Sequence, residues 1–226
     1  VAVSDHSRDL LRATCPDSAD NIDRVYNGIR PSDFPVAHGI ADHGSRPLRI
    51  ITIGRLIEFK GFHHLLNACA KLRGSGVPFE LCIIGEGPWR EQLEQQAVDL
   101  GIDDAVEFAG VQSGDTVKAR LADSDVFALA CIVDSKGASD ILPTVIMEAM
   151  AAGVPCVTTP VNGVSELMED RVHGMIGDWS AESLSKPVIE LLDDPDLHAD
   201  VGTRARQRIL SEYSPALSAK RIWSVC

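Results

Sequence analysis

The stretch LRIITIGRLIEFKGF, residues 48–62, decides the fold. Its first part, LRIITIG (48–54), is a β-branched run with no alternation of polar and apolar positions, so it reads as a strand buried on both faces. Buried strands of this kind belong to parallel sheets covered by helices on each side. The run that follows, FHHLLNACAKLRG (62–74), has helical spacing and stops at Gly74.

Outward from there the pattern repeats. FELCIIG (79–85) reads as a strand and WREQLEQQAVDLG (89–101) as a helix; AVEFAG (105–110) is a strand and DTVKARLADS (115–124) a helix. DVFALAC (125–131) is a strand, and SDILPTVIMEAMAAGVPCVTT (139–159) contains a loop, an apolar helix and the strand VPCVTT (154–159). HGMIGD (173–178) reads as a short last strand, and beyond residue 178 the chain is mostly helical. The fold class is therefore α/β, a doubly wound, Rossmann-like parallel sheet with C-terminal helices. Residues 1–47 read as the end of a preceding domain (strand edge, helix, polar linker), with HGIADHGSRP (38–47) as a flexible connection. Residues 48–205 form the Rossmann-like domain, and 206–226 are terminal helices.

Composition narrows the function. With 21 Lys and Arg against 33 Asp and Glu, the 226 residues carry a formal net charge of -12, which repels nucleic acid and anionic membrane surfaces. No apolar run reaches the length of about eighteen residues that marks a membrane span. Of the six cysteines, Cys69, Cys82, Cys131 and Cys156 lie in apolar strand or helix runs, and Cys15 and Cys226 lie outside them. No two have metal-ligand or redox spacing. That is the pattern of free thiols in a reducing compartment, and it points to the cytoplasm.

In a doubly wound sheet, ligands bind at the carboxyl ends of the strands. The first such loop holds Gly54, Arg55, Lys60 and Gly61. Its residue types suit a diphosphate: Arg as a planar fork, Lys as a mobile charge, glycines for close backbone approach; a solvated loop with two surface cations is the simpler reading. Gly85 and Gly87 fit a turn into the second helix, and Gly110 would let a flat ligand pass close to the backbone. The fourth loop carries Asp140 just before a helix expected to start at residue 142 or 143, where Pro143 suits the first turn. Asp140 serves either as a helix cap or as a ligand group. Glu148 is the one charge in its helix and needs either a protein partner or a ligand hydroxyl pair. Glu166, in NGVSEL (162–167), could face the same cleft; DDPD (193–196) reads as a cap; His63 and His64 diverge by about 100° and make a poor metal pair.

Taken in order, VYNGI, IGRLIEFKG, IIGEGP, VEFAG, DVFALA, LPTVIMEAMAAGVPCVTT, GVSELMED and HGMIGD resemble the C-terminal domain of a retaining GT-B glycosyltransferase of family 4. The resemblance implies a domain that binds a nucleotide diphosphate sugar. Arg55 and Lys60 would hold the diphosphate and stabilise its departing charge, alongside the glycines Gly54, Gly85, Gly87 and Gly110. Glu148 would accept bonds from the ribose hydroxyls, and Val111 would border the base. Asp140 would sit at the transferred sugar, with the amides near Leu142 and Thr144 at its hydroxyls or the phosphate. It implies no metal and no resident cofactor, and a partner domain, missing from this sequence, that binds the acceptor and supplies a catalytic histidine. Alone the chain would bind nucleotide and have little or no transferase activity.

Three positions depart from the family pattern: Asp140 stands where Glu is usual, Ile141 where Gly is usual, and LACIV where the strand commonly ends in Pro-Ser. Two other functions remain compatible with these residues. One is a catalytically silent nucleotide-binding module; the other is a sugar-nucleotide epimerase of the same architecture.

Overall fold

The structure, a computed structural model, describes residues 1–40 and 46–225. Residues 41–45 of the connection expected over 38–47, and Cys226, lie outside the described residues. Six strands, β1 (Leu48–Ile53), β2 (Phe79–Ile84), β3 (Val106–Gly110), β4 (Val126–Leu129), β5 (Cys156–Thr158) and β6 (Met175–Ile176), form one sheet in the order β3-β2-β1-β4-β5-β6. Every pairing is parallel. The helices between them are α2 (Phe62–Gly74), α3 (Arg90–Asp99), α4 (Gly114–Ala122), α5 (Thr144–Ala152) and α6 (Val164–Leu167). They follow α1 (Asp5–Thr14), and α7 (Ala181–Asp193), α8 (Pro195–Glu212) and α9 (Pro215–Val225) close the chain.

β1 shows why its sequence does not alternate. Leu48 and Ile50 join a core with α2, α3 and α7, whereas Ile51 and Ile53 join a second core with α5 and α8. Both faces of the strand are covered, so apolar residues occupy both sets of positions. Strand order reverses at β1, whose neighbours are β2 on one side and β4 on the other. The chain thus runs off in opposite directions from β1 and β4 and leaves a crevice beyond their carboxyl ends.

One polar group is built into the opposite end. Asp125, only 2% exposed, accepts two bonds of 2.7 Å from the Arg46 guanidinium and one of 2.8 Å from the Arg49 amide. A bidentate ion pair satisfied from the backbone as well ties the start of β1 to the start of β4.

Small departures from the sequence reading have local causes. α5 begins at Thr144 rather than at 142 or 143, because Pro143 keeps ψ at 102° and serves as the capping position. Asp194 caps α8 through the Leu197 amide at 2.9 Å, the role expected of DDPD. α8 runs unbroken through residues 205 and 206, so the division expected there falls inside a helix. The N-terminal segment is docked on the sheet domain: Ala2 bridges Arg24, and the Glu166 carboxylate accepts the amides of Asp5 (2.7 Å) and His6 (3.0 Å) at the start of α1. Glu166 also accepts the Tyr26 hydroxyl at 2.9 Å. It is therefore committed to α1 and not to the cleft, since exposed helix amides offer a carboxylate a strong site.

Candidate functional site

The crevice is assembled from close backbone contacts that only glycine permits. Gly61 caps α2 at φ +67°, and a Cβ there would lie 1.7 Å from the Ala130 carbonyl oxygen. The β1 loop can therefore press against the end of β4, and the Ile132 amide bonds the Phe59 carbonyl at 2.9 Å. Gly85 and Gly87 do similar work on the other side: Cβ atoms would fall 1.9 Å from the Gly54 oxygen and 2.3 Å from the Leu56 oxygen. Their glycine character is thus accounted for by support of the β1 loop. Gly110, at φ +68°, has Glu86 nearest to its missing side chain at 3.2 Å, and Val111 beyond it is 77% exposed.

That packing delivers Lys60 to Asp140. The Lys60 Nζ stands 2.6 Å from Asp140 Oδ2, with the two side chains 13% and 19% exposed. The Cys131 thiol donates to the same oxygen at 3.1 Å. Burial first, and the Asp140 charge second, push that thiol well above its ordinary pKa, so it is a neutral donor and not a nucleophile. The Asn162 side-chain amide donates to the Asp140 carbonyl, and the Gly163 amide donates to the Ile141 carbonyl at 3.0 Å. Ile141, where a glycine is usual in the resemblance, is 43% exposed.

Beyond this loop the amides of Leu142 and Thr144 carry no hydrogen bond among the described residues, the ordinary condition of a helix start. Leu142 is buried and Thr144 exposed. Glu148 lies one turn further along α5, half-buried, with no hydrogen-bond partner among the described residues. Burial raises its carboxyl pKa, opposed by the charge of Lys118. Arg55 and its neighbour Gly54 stand at the loop's start, and the Arg55 side chain is exposed without a partner among the described residues.

The structure thus brings Lys60 and Asp140 into direct contact, and places Arg55, Glu148 and Thr144 without bonds to one another. It adds Cys131, read from the sequence as a free thiol in an apolar run, and Asn162. Trp179 joins them, its indole donating to the Cys131 carbonyl at 2.9 Å. The available signal for Cys131 was its place at the carboxyl end of a core strand. The His63 and His64 rings, expected to diverge, lie 4.1 Å apart at a tilt of 42°, with burial lowering both pKa values. Among the described residues no three His, Cys, Asp or Glu side chains group as metal ligands. A groove of about 470 Å³ lies elsewhere, beside Arg49, Glu107 and Arg120. Among its charges Arg120 pairs with Glu107 and Arg49 with Asp123.

Comparison with known proteins agrees with this fold. The sequence profile of the family described as "Glycosyl transferases group 1" matches residues 36–208. The amylovoran biosynthesis glycosyltransferase AmsK of Erwinia amylovora is 30% identical over 214 residues, covering 94% of this chain and 52% of AmsK. The crystal structure of Anabaena Alr3699/HepE in complex with UDP-glucose matches with a TM-score of 0.85 at 20% identity, over 99% of this chain and 62% of that one. The C-terminal domain of the group 1 family protein LpcC from Francisella tularensis matches over its whole length and 83% of this chain, with a TM-score of 0.69 at 18% identity. The chain spans about half the length of the curated relatives it matches. Six parallel strands in this order, the profile over three quarters of the residues and the GT-B-like neighbours agree: the chain belongs to the glycosyl transferases group 1 family.

Proposed function

We propose that this chain is the donor-binding half of a retaining glycosyltransferase, of hexosyltransferase type, that takes a sugar from a nucleotide diphosphate sugar. One observation carries the reading. At the carboxyl ends of β1 and β4, a cation (Lys60), a carboxylate (Asp140) and a bare helix N-terminus converge, and a half-buried, unpartnered carboxylate (Glu148) follows on the same helix. A diphosphate needs the first and third, a ribose diol the last. HepE, which shares the fold, was crystallised with UDP-glucose, in keeping with such a donor.

In this reading Lys60 and Arg55 bind the two phosphates, and their charge, with the α5 dipole, stabilises the diphosphate as the glycosidic bond breaks. These cations take the place of a metal. Glu148 orients the nucleotide by accepting from both ribose hydroxyls, Val111 borders the base, and Asp140 with the Leu142 and Thr144 amides holds the sugar. The acceptor is bound by a domain outside this sequence, so the chain alone binds donor and transfers little. The enzyme works in the cytoplasm, the compartment that its free thiols fit. Among the described residues no helix is long and apolar enough to cross a membrane.

Calorimetric titration of the chain with UDP, GDP and ADP, then with their sugar conjugates, tests the proposal. Binding of one nucleotide and its sugar conjugate is the expected result, and no binding of any at millimolar concentration would sink it. A second reading, the silent nucleotide module, is favoured by the 43% exposed Ile141 side chain on the sugar loop. It predicts binding of the nucleotide without its sugar conjugate.

A further inference from the structure

Lys60 and Asp140 are 80 residues apart in sequence and 2.6 Å apart in space. The two ends of this ion pair are held very differently. Asp140 is fixed from several directions: the Cys131 thiol donates to its Oδ2 at 3.1 Å, and the Asn162 amide donates to its main-chain carbonyl. Behind the loop, the Gly163 amide holds the Ile141 carbonyl at 3.0 Å, and Asn162 adopts φ +42° to present both groups. Cys131 is itself pinned through its carbonyl by the Trp179 indole and the Thr159 hydroxyl. The Lys60 ammonium, by contrast, rides on a flexible four-carbon stem. Any anion that takes up Lys60 must therefore compete with a carboxylate whose backbone is held in place.

We propose that Asp140 is a built-in counter-ion which lowers the affinity of this site for a nucleoside diphosphate and so promotes release of that product. The inference rests on the donor-site reading above. The free terminal phosphate of a nucleoside diphosphate carries more negative charge than the same phosphate esterified to a sugar. A fixed carboxylate beside Lys60 opposes the product more than the donor. Before any ligand arrives, the pair also keeps a poorly solvated ammonium neutralised.

The test is calorimetry with UDP, GDP and ADP on the wild type, Asp140→Asn, Lys60→Ala and the double variant. Asp140→Asn is expected to bind the preferred nucleoside diphosphate about tenfold more tightly than wild type. Lys60→Ala is expected to weaken it, and in that background Asp140→Asn should still tighten binding, since the uncompensated carboxylate then repels the diphosphate directly. Unchanged or weaker binding by Asp140→Asn overturns the inference and leaves Asp140 as an orienting group only. No gain from Asp140→Asn in the Lys60→Ala background overturns it too. If neither wild type nor Asp140→Asn binds any of the three, the donor-site reading itself fails. Asp140→Ser repeats the comparison should the Asn variant lose its circular-dichroism spectrum.

Discussion

Replacing Glu148 by Gln separates the two effects of a half-buried carboxylate, one on folding and one on binding. In the ligand-free fold the group has no hydrogen-bond partner among the described residues, and burial raises its pKa against the weaker pull of Lys118. Burying a polar group without a partner costs about 1–3 kcal/mol in mutational series. Glu148 keeps some contact with water, which places it at the lower end. Glu148→Gln should therefore stabilise the chain by about 1 kcal/mol at neutral pH, a Tm rise of about 2–4 °C for a protein of this size. The gain has a pH signature. A carboxyl whose folded pKa lies above its unfolded value costs nothing while protonated in both states, below the unfolded pKa. Its cost grows as pH rises toward the folded pKa and is constant above it. The Tm difference should thus vanish near pH ~4 and be complete at neutrality. Binding moves the other way: losing a charged acceptor for ribose hydroxyls costs about 1.5–3 kcal/mol, or roughly 10- to 150-fold in Kd. Thermal unfolding across pH, with calorimetry against a nucleoside diphosphate and its 2′-deoxy counterpart, reads both. A lower Tm for Glu148→Gln at neutral pH would show that the carboxylate is satisfied in the free fold. Equal discrimination against the deoxy ligand by wild type and variant would refute the ribose assignment.

Lys60→Ala should weaken a nucleoside diphosphate far more than the bare nucleoside, and equal losses for both would count against a diphosphate role. Gly61→Ala should destabilise by more than about 3 kcal/mol, because its Cβ would sit 1.7 Å from the Ala130 oxygen at φ +67°; urea unfolding measures this, and a stable Ala variant would mean the β1 loop can move. Asp125→Ala leaves the Arg46 guanidinium and the Arg49 amide without their acceptor. It should cost about 3 kcal/mol, the lower end for a broken buried pair because Arg46 is 31% exposed. Excess chelator should leave nucleotide affinity unchanged, and an affinity that collapses with EDTA and returns with Mg²⁺ would replace the cation clamp with a metal.

How much was legible in the sequence can be judged from particular residues. Strand β1 announced itself because burial on two faces removes polar alternation from LRIITI. α2 ran over 62–74 as read, its start and stop set by local chemistry, with Gly61 at the cap and Gly74 as its last residue. Such signals need only neighbours along the chain. Asp140 was visible as an acid near a helix start, yet its partners Lys60 and Cys131 were not, since those contacts depend on where strand order reverses. Glu166 shows the opposite outcome: its spacing suited the cleft, but a segment some 160 residues away brought free amides to it first. Gly85 and Gly87 read as a turn into the second helix, and only the approach of the Gly54 and Leu56 carbonyls shows that they also support β1. The sequence by itself determined the α/β class, the order and approximate extent of the helices, and the loops that end the strands, because periodicity and turn chemistry are local. Which of those loops touch was decided by the parallel topology, because a long-range ion pair or a Cβ-free backbone contact has no period along the chain to reveal it.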